Sequence, residues 1–193
     1  KNKRVEIFSR NLERLTDMFP DLVNAALNEL NVDNVILDGE SIGYDETVDE
    51  FHPFQETITR KRKHGVEEKS QELPMYLFTF DILYLNNEPL INKPYKERRS
   101  ILESLIKGNG RIRLTDRIIA KSPEELENYF ETVVSKGLEG IVAKDLNSTY
   151  IAGARKFSWI KLKRSYKGEL SDTLDLVIVG YYLGKGLRAE FQF

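Results

Sequence analysis

The chain has 193 residues, 40% of them hydrophobic, enough for one sizeable core and a small appendage. Its 29 lysines and arginines nearly balance 31 aspartates and glutamates, for a formal net charge of −2. There is therefore no global basic signature of a nucleic-acid binder, and any such signal has to be local. With no cysteine, a disulfide scaffold, a cysteine-based zinc site and a cysteine nucleophile are excluded, which fits an intracellular protein. The longest apolar runs, such as Leu174 to Val179, are far too short to cross a bilayer. The opening Lys1-Asn2-Lys3-Arg4 does not have the pattern of a secretory leader.

Taken in order, Val5 to Ser9 reads as a strand. From Pro20, a favourable first helical residue, Leu22, Ala26, Leu27 and Leu30 recur at helical spacing. Val35-Ile36-Leu37 reads as a short buried strand running into Asp38-Gly39-Glu40. Pro53 opens a second helical stretch, which carries Arg60-Lys61-Arg62-Lys63. Met75 to Leu85, rich in Tyr, Phe, Thr and Ile, predicts a long strand. Tyr95 to Lys107 predicts an amphipathic helix with Ile101, Leu102, Leu105 and Ile106 inward, and the charges from Lys93 to Arg99 read as its solvated start. Ile112 to Ala120 looks extended. Ser122-Pro123-Glu124-Glu125 is a capping box with proline at the first helical position, opening a helix that stops at Gly137. Gly140 to Lys144, Trp159 to Lys163 and Leu174 to Tyr181 predict three more strands. Interleaved strands and helices give an α+β or α/β class. The polar, turn-like Gly168 to Asp172 suggests a boundary, dividing the chain into residues 1–170 and 171–193.

Asp38-Gly39-Glu40 places a carboxylate just past the end of a buried strand, and Glu139 places another immediately before one. In Trp159-Ile160-Lys161-Leu162-Lys163 the alternation projects Lys161 and Lys163 from one strand face. Carboxylates suit a hard cation such as Mg2+, and lysines neutralise phosphate oxygens, so the set suits a metal–phosphate site. Each piece alone has a plain reading, a turn or the wet face of a strand. Gly184-Lys185-Gly186 lacks the spacing of a phosphate-binding loop. His52 and His64 show no metal spacing and read as surface residues.

In combination the segments say more. The chain reads Phe8-Ser9-Arg10-Asn11, Leu37-Asp38-Gly39-Glu40, then Pro53-Phe54-Gln55 with Thr59-Arg60-Lys61-Arg62-Lys63. Phe80-Asp81-Ile82-Leu83-Tyr84-Leu85, Glu139-Gly140-Ile141-Val142-Ala143-Lys144 and Trp159-Ile160-Lys161-Leu162-Lys163 follow. This order resembles the motif series of ATP-dependent DNA ligases of the archaeal and eukaryotic replicative type, over nearly the whole chain. The Pro-Phe-Gln and Thr-Arg-Lys-Arg-Lys segment separates that branch from mRNA capping enzymes and RNA ligases.

The resemblance implies an α+β nucleotidyltransferase (adenylation) domain with antiparallel-rich sheets flanked by helices. It implies ATP, held as AMP, and Mg2+ as cofactors, and nicked duplex DNA as partner. A sliding clamp would be engaged through other domains, and no membrane is implied. By the same resemblance Glu40 lies near the ribose and metal, Phe80 stacks on the adenine, and Glu139 is the metal-linked carboxylate. Lys161 and Lys163 contact the α-phosphate. Arg10 helps to hold the nick's 5′-phosphate, and Arg60, Lys61, Arg62, Lys63 and Arg155 lie along the DNA. The family's nucleophile is the lysine of a Lys-x-Asp-Gly segment, expected shortly before Val5, and the sequence contains no such segment. The expectation is a domain cut short at both ends, inactive alone, with residues 171–193 resembling the first strand of an oligonucleotide-binding fold. A non-catalytic nucleotide- or DNA-binding module, or a capping-enzyme or RNA-ligase relative, is the rival reading.

Overall fold

The computed structural model describes residues 4–61, 64–108, 110–153 and 158–164, the side chains of Phe54 and Gln55 excepted. The chain divides into two compact units, Lys1–Leu162 and Lys163–Phe193. The boundary expected at 170/171, the strand expected at Leu174 to Tyr181, and Arg62, Lys63 and Arg155 lie outside the described residues. The elements run α1 (Pro20–Glu29), β1 (Val35–Asp45), β2 (Glu50–Phe51), α2 (Phe54–Ile58), α3 (Val66–Glu72) and β3 (Met75–Leu85). They continue with β4 (Glu88–Pro89), α4 (Tyr95–Leu105), β5 (Ile112–Leu114), α5 (Pro123–Ser135), β6 (Gly140–Lys144) and β7 (Trp159–Lys163). The class is α+β, as expected. Among the described residues no helix is long and apolar enough to cross a membrane.

β3 is the spine of the main sheet. Its β-branched and aromatic residues favour a pleated conformation, and it pairs antiparallel with β1 along most of its length. Its other edge is shared: β4 pairs antiparallel at Tyr84 and Leu85, and β5 pairs parallel at Leu77 to Thr79. The β3–β4 hairpin turns at Asn86 and Asn87, whose φ of 46° and 70° is the left-handed geometry that a two-residue turn needs and asparagine tolerates. One sheet face is covered by α1 and α4, with Ala25, Leu30, Ile82, Leu90, Leu102, Ile106 and Ile112 forming the buried cluster. Burying each of the larger side chains stabilises the fold by roughly 1.5–3 kcal/mol.

Carboxylates at both ends of α1 tie it down. Asp21 Oδ2 accepts from Met75 N at 2.9 Å, and Asp21 Oδ1 accepts from Arg60 Nη2 at 2.7 Å. Glu29 accepts from the backbone N–H groups of Arg111 (3.0 Å) and Ile112 (2.9 Å), anchoring β5. Helix α5 starts as its capping box predicts: Ser122 Oγ accepts from Glu125 N, and Glu125 Oε2 accepts from Lys121 N. It ends before Gly137, whose φ is +82°.

Several extents differ from expectation. Val5 to Ser9 is no strand; only Phe8 bridges Arg14, because this stretch has no long partner among the described residues. β1 continues eight residues past Leu37, so Asp38-Gly39-Glu40 lies within a strand and not in a turn beyond it. The helix after Pro53 ends at Ile58, leaving Arg60 and Lys61 outside it, and Ile112 to Ala120 pairs only as far as Leu114.

The β1–β3 register slips twice, between Ile36/Leu37 and between Asp38/Gly39. At the second slip Asp38 faces Asp81 and Gly39 faces Thr79, so Phe80 is the extra residue of a bulge on β3. A bulge bends a strand and re-aims its side chains. Gly39 permits the close approach: a Cβ there would meet Phe78 O at 2.8 Å and Thr79 Cα at 3.2 Å. Gly39→Ala is therefore expected to cost about 1–3 kcal/mol of stability by overpacking against backbone. A urea midpoint equal to that of the parent chain would show that the bulge absorbs the methyl group.

Candidate functional site

Between β4 and β5 the outer edge of β3 has no strand partner in register at Phe80, Asp81 and Ile82. Side chains take the place of a strand. Phe80 O accepts from Tyr95 Oη at 3.3 Å and from Lys144 Nζ at 3.5 Å. Ile82 N donates to Asp81 Oδ1 at 2.9 Å. Asp81 is completely buried and accepts two bonds from Arg98, from Nε at 2.8 Å and Nη2 at 3.0 Å. The remaining Arg98 nitrogen, Nη1, donates to Lys93 O at 2.5 Å and Ser148 O at 3.1 Å. The fork geometry of a guanidinium suits this bidentate pairing, and the carbonyls satisfy its other donors.

The helix start is thus solvated only in part: Lys96 and Glu97 are exposed as expected, while the two arginines are not. Arg98 is 0% and Arg99 2% exposed, and Arg99 holds Glu103 at 2.9 Å and Thr115 O at 2.7 Å. These two guanidiniums turn inward because the gap in the sheet edge and the β5 exit present acceptors that need donors. The chain after β6 completes the site. Leu146 O and Ser148 O accept from Lys96 N and Tyr95 N, both at 2.9 Å, and so satisfy the free N-terminal donors of α4. Tyr150 Oη then donates to Asp38 Oδ2 at 2.8 Å.

Lys144, at the end of β6, has a side chain only 8% exposed. Its ammonium lies 3.8 Å from the Trp159 ring centroid, 4.3 Å from that of Phe80 and 4.7 Å from that of Tyr95. Asp81 Oδ2 is 4.0 Å away. Burial pulls the Lys144 pKa down to about 8, against the opposing pull of Asp81 and Asp38. Burial and the bond to Asp38 push the Tyr150 hydroxyl well above the usual tyrosine range. Phe80 and Tyr150 both meet Trp159 edge-on, at 6.0 and 5.7 Å between centroids.

The structure therefore brings Phe80 and the start of β7 together. By strand alternation Lys161 shares the Trp159 face of β7, with Lys163 two residues further along, and Glu40 shares the Asp38 face of β1. Glu40, Glu139 and Lys161 are exposed and Phe80 is half-buried. Arg10 stands exposed at the tip of a tight loop, where Ser9 Oγ accepts from Asn11 N (3.3 Å) and Glu13 N (3.1 Å).

Arg60 is a correction. It is 0% exposed, paired with Asp21 and stacked 5.6 Å from the Phe19 ring centroid, so it holds the fold and presents no face to a phosphate. Lys61 is exposed and reaches Glu13 at 2.6 Å. The sequence reading missed Asp38, Asp81, Arg98, Lys144, Tyr150 and Trp159 as members of the site. The available signal was a charged residue inside or closing an apolar strand, as at Asp81 and Lys144.

Among the described residues no group of three or more His, Cys, Asp or Glu side chains is placed to hold a metal. That is compatible with Mg2+, which takes one or two carboxylates together with substrate phosphates and water, and Glu40 and Glu139 are oxygen donors of the right kind.

Asp81→Ala is expected to destabilise the chain by about 3–5 kcal/mol, because it leaves a buried guanidinium without its counter-charge. The double change Asp81→Leu with Arg98→Met should cost less than either single change, since apolar groups need no partner. Urea unfolding of the three variants checks this; additive losses in the double variant would refute a coupled pair.

Comparison with known proteins gives a consistent result. Residues 1–163 match the family model described as ATP dependent DNA ligase domain. The chain is 51% identical over 191 residues to a probable DNA ligase of Dictyoglomus turgidum, covering 99% of this chain and 33% of that protein. It is 44% identical to DNA ligase 1 of Methanosarcina acetivorans, covering 95% of this chain and 33% of that protein. The chain thus spans about a third of the length of these curated relatives. Two solved structures are similar at 26% identity. One is a mycobacterial DNA ligase D complexed with ATP and MES, with a TM-score of 0.63, covering 82% of this chain and 47% of the other. The second is the ligase domain of M. tuberculosis LigD, with a TM-score of 0.64, covering 83% and 48%. The bulged aromatic strand, Glu40 on β1, Glu139 just before β6 and the lysine-bearing strand all lie within the matched span, and the chain belongs to the ATP-dependent DNA ligase domain family.

Proposed function

We propose that this chain forms most of the nucleotide pocket of an enzyme that seals nicks in duplex DNA through lysyl-AMP and DNA-adenylate intermediates. The observation that carries the reading is Phe80, re-aimed by a bulge, lying against Trp159 at the head of the strand that bears Lys161 and Lys163. A flat ring beside a cationic strand face matches a base attached to a phosphate. In this reading Phe80 stacks on the adenine of ATP, Lys161 and Lys163 neutralise the α-phosphate as AMP is transferred, and Glu40 lies near the ribose. Bound Mg2+, held by Glu40 and Glu139 with the nucleotide phosphates, would supply charge neutralisation at the reacting phosphorus. Family membership supports a DNA substrate. Arg10 at its loop tip and exposed Lys61 are the described groups we assign to the phosphate backbone, and Arg62, Lys63 and Arg155 join them from the sequence reading. An activity on DNA of this kind belongs inside the cell.

Covalent adenylation needs a nucleophilic amine, and the sequence has no Lys-x-Asp-Gly. Incubated with ATP and Mg2+, the 193-residue chain is expected to show no gain of one AMP by intact-mass analysis. Extended upstream by a Lys-x-Asp-Gly segment, it should acquire the adduct and lose it when that lysine becomes alanine. An extended protein that binds no ATP would refute the pocket.

Phe80→Leu keeps apolar volume and removes the flat face. It is expected to weaken AMP binding by about 1–3 kcal/mol, the usual contribution of a base on a ring. Calorimetric titration reads this directly, and unchanged affinity would reduce Phe80 to a packing residue.

A further inference from the structure

Lys144 is a buried group at this site whose charge the fold does not need. The ammonium has Asp81 at 4.0 Å, but that carboxylate is already engaged by two nitrogens of Arg98. Burial favours the neutral amine, so the charge at neutral pH costs stability. A methionine would fill the same space without that cost. What the charge does have is three ring faces or edges, contributed by three different elements: Phe80 from β3, Tyr95 from α4 and Trp159 from β7.

Resting on the nucleotide-pocket reading above, we infer that Lys144 is a positioning residue whose ammonium, seated among Phe80, Tyr95 and Trp159, fixes the ring of Phe80 as the platform for the base. Phe80 needs such a restraint. It is the extra residue of a bulge, so the ladder holds it less firmly than its neighbours. A cation near a ring is attracted along the ring's normal, so tilting the ring away weakens the contact. The Lys144 bond to Phe80 O restrains the backbone of the same residue, and Trp159 meets the ring edge-on at 80°. Phe80 is half-buried, which leaves part of the ring accessible to a base. Lys144 acts on the nucleotide through this ring.

Trp159 is the only tryptophan of the chain and lies 3.8 Å from the ammonium, so its fluorescence reports on the cage. AMP is titrated into the parent 193-residue chain and into Lys144→Met and Lys144→Arg variants, reading Trp159 emission, with calorimetry as the second measure. At about pH 7, Lys144→Met is expected to bind AMP about tenfold more weakly while remaining as stable to urea as the parent, and Lys144→Arg, which keeps a cation, to stay within about threefold. Raising the pH from about 7 to about 9.5 takes the parent's Lys144 from charged to neutral, so AMP affinity should fall several-fold in the parent and not in Lys144→Arg.

The other charged or titratable groups facing the cage are Asp38 from β1, Asp81 from β3, Tyr95, Arg98 and Arg99 from α4, and Tyr150 from the segment after β6. Burial raises both tyrosines, away from this pH window. All six are shared by the parent and the arginine variant, so the comparison isolates Lys144. Equal AMP affinity in the parent and Lys144→Met overturns the inference and leaves the pocket standing. A pH-independent affinity in the parent overturns it as well, whether or not the methionine variant folds. Absence of any AMP response in the parent overturns the pocket reading, and the inference with it.

Discussion

The buried pair of Asp81 and Arg98 is the interaction on which the rest of the site depends. β3 has to serve two short partners on one edge, and between them it leaves backbone groups without a strand. Buried backbone polar groups are costly unless bonded, so the gap demands polar side chains. Asp81 covers the N–H of Ile82, and Arg98 neutralises Asp81. The same guanidinium reaches Lys93 O and Ser148 O, pinning the start of α4 and the segment after β6 to the sheet. A charge pair of this kind is weak evidence for net stability, because both ions lose their water. Its effect is geometric: it fixes one arrangement of three chain segments around Phe80.

Around that pair the site is built in layers with different physical tasks. Gly39 lets β1 close on the bulge, and the bulge turns Phe80 out of the regular pleat. Tyr95, Trp159 and Lys144 surround the ring, and Tyr150 ties the outer segment back to Asp38 on β1. Of the exposed charged groups, Glu40 and Lys161 lie on strands positioned by this interior and Glu139 immediately precedes one. Solvated ends on a rigid base suit the phosphate and metal roles proposed for them. α1 serves the opposite end of the sheet in a similar way, with Asp21 and Glu29 each bonded to backbone donors of other elements.

Arg60 and Lys61 show how far neighbours in sequence diverge in role. One is sealed against Phe19 and Asp21; the next stands in solvent beside Glu13. A basic run read as a single DNA-facing unit is split by the fold, because only tertiary packing decides which guanidinium meets a buried carboxylate. The same holds at the start of α4, where Arg98 and Arg99 look like ordinary surface charges until the acceptors of β3 and of Thr115 are placed opposite them.

The sequence by itself determined the local features that depend on neighbours along the chain. The extent of β3 followed from its β-branched and aromatic content, the start of α5 from the Ser122 capping box, and the family from the order of six segments, which one-dimensional spacing carries in full. It also placed Lys161 and Lys163 on one strand face, since alternation along a strand is a local rule. What only the tertiary structure decided was everything that depends on an edge or a cavity. The bulge at Phe80 comes from the register between two strands separated in sequence. The inward turn of Arg98 comes from an unpaired stretch of sheet edge, and the lowered Lys144 pKa from burial where three separate elements meet. Desolvation and the demand of buried polar groups for partners act through space, and no spacing along the chain encodes them directly.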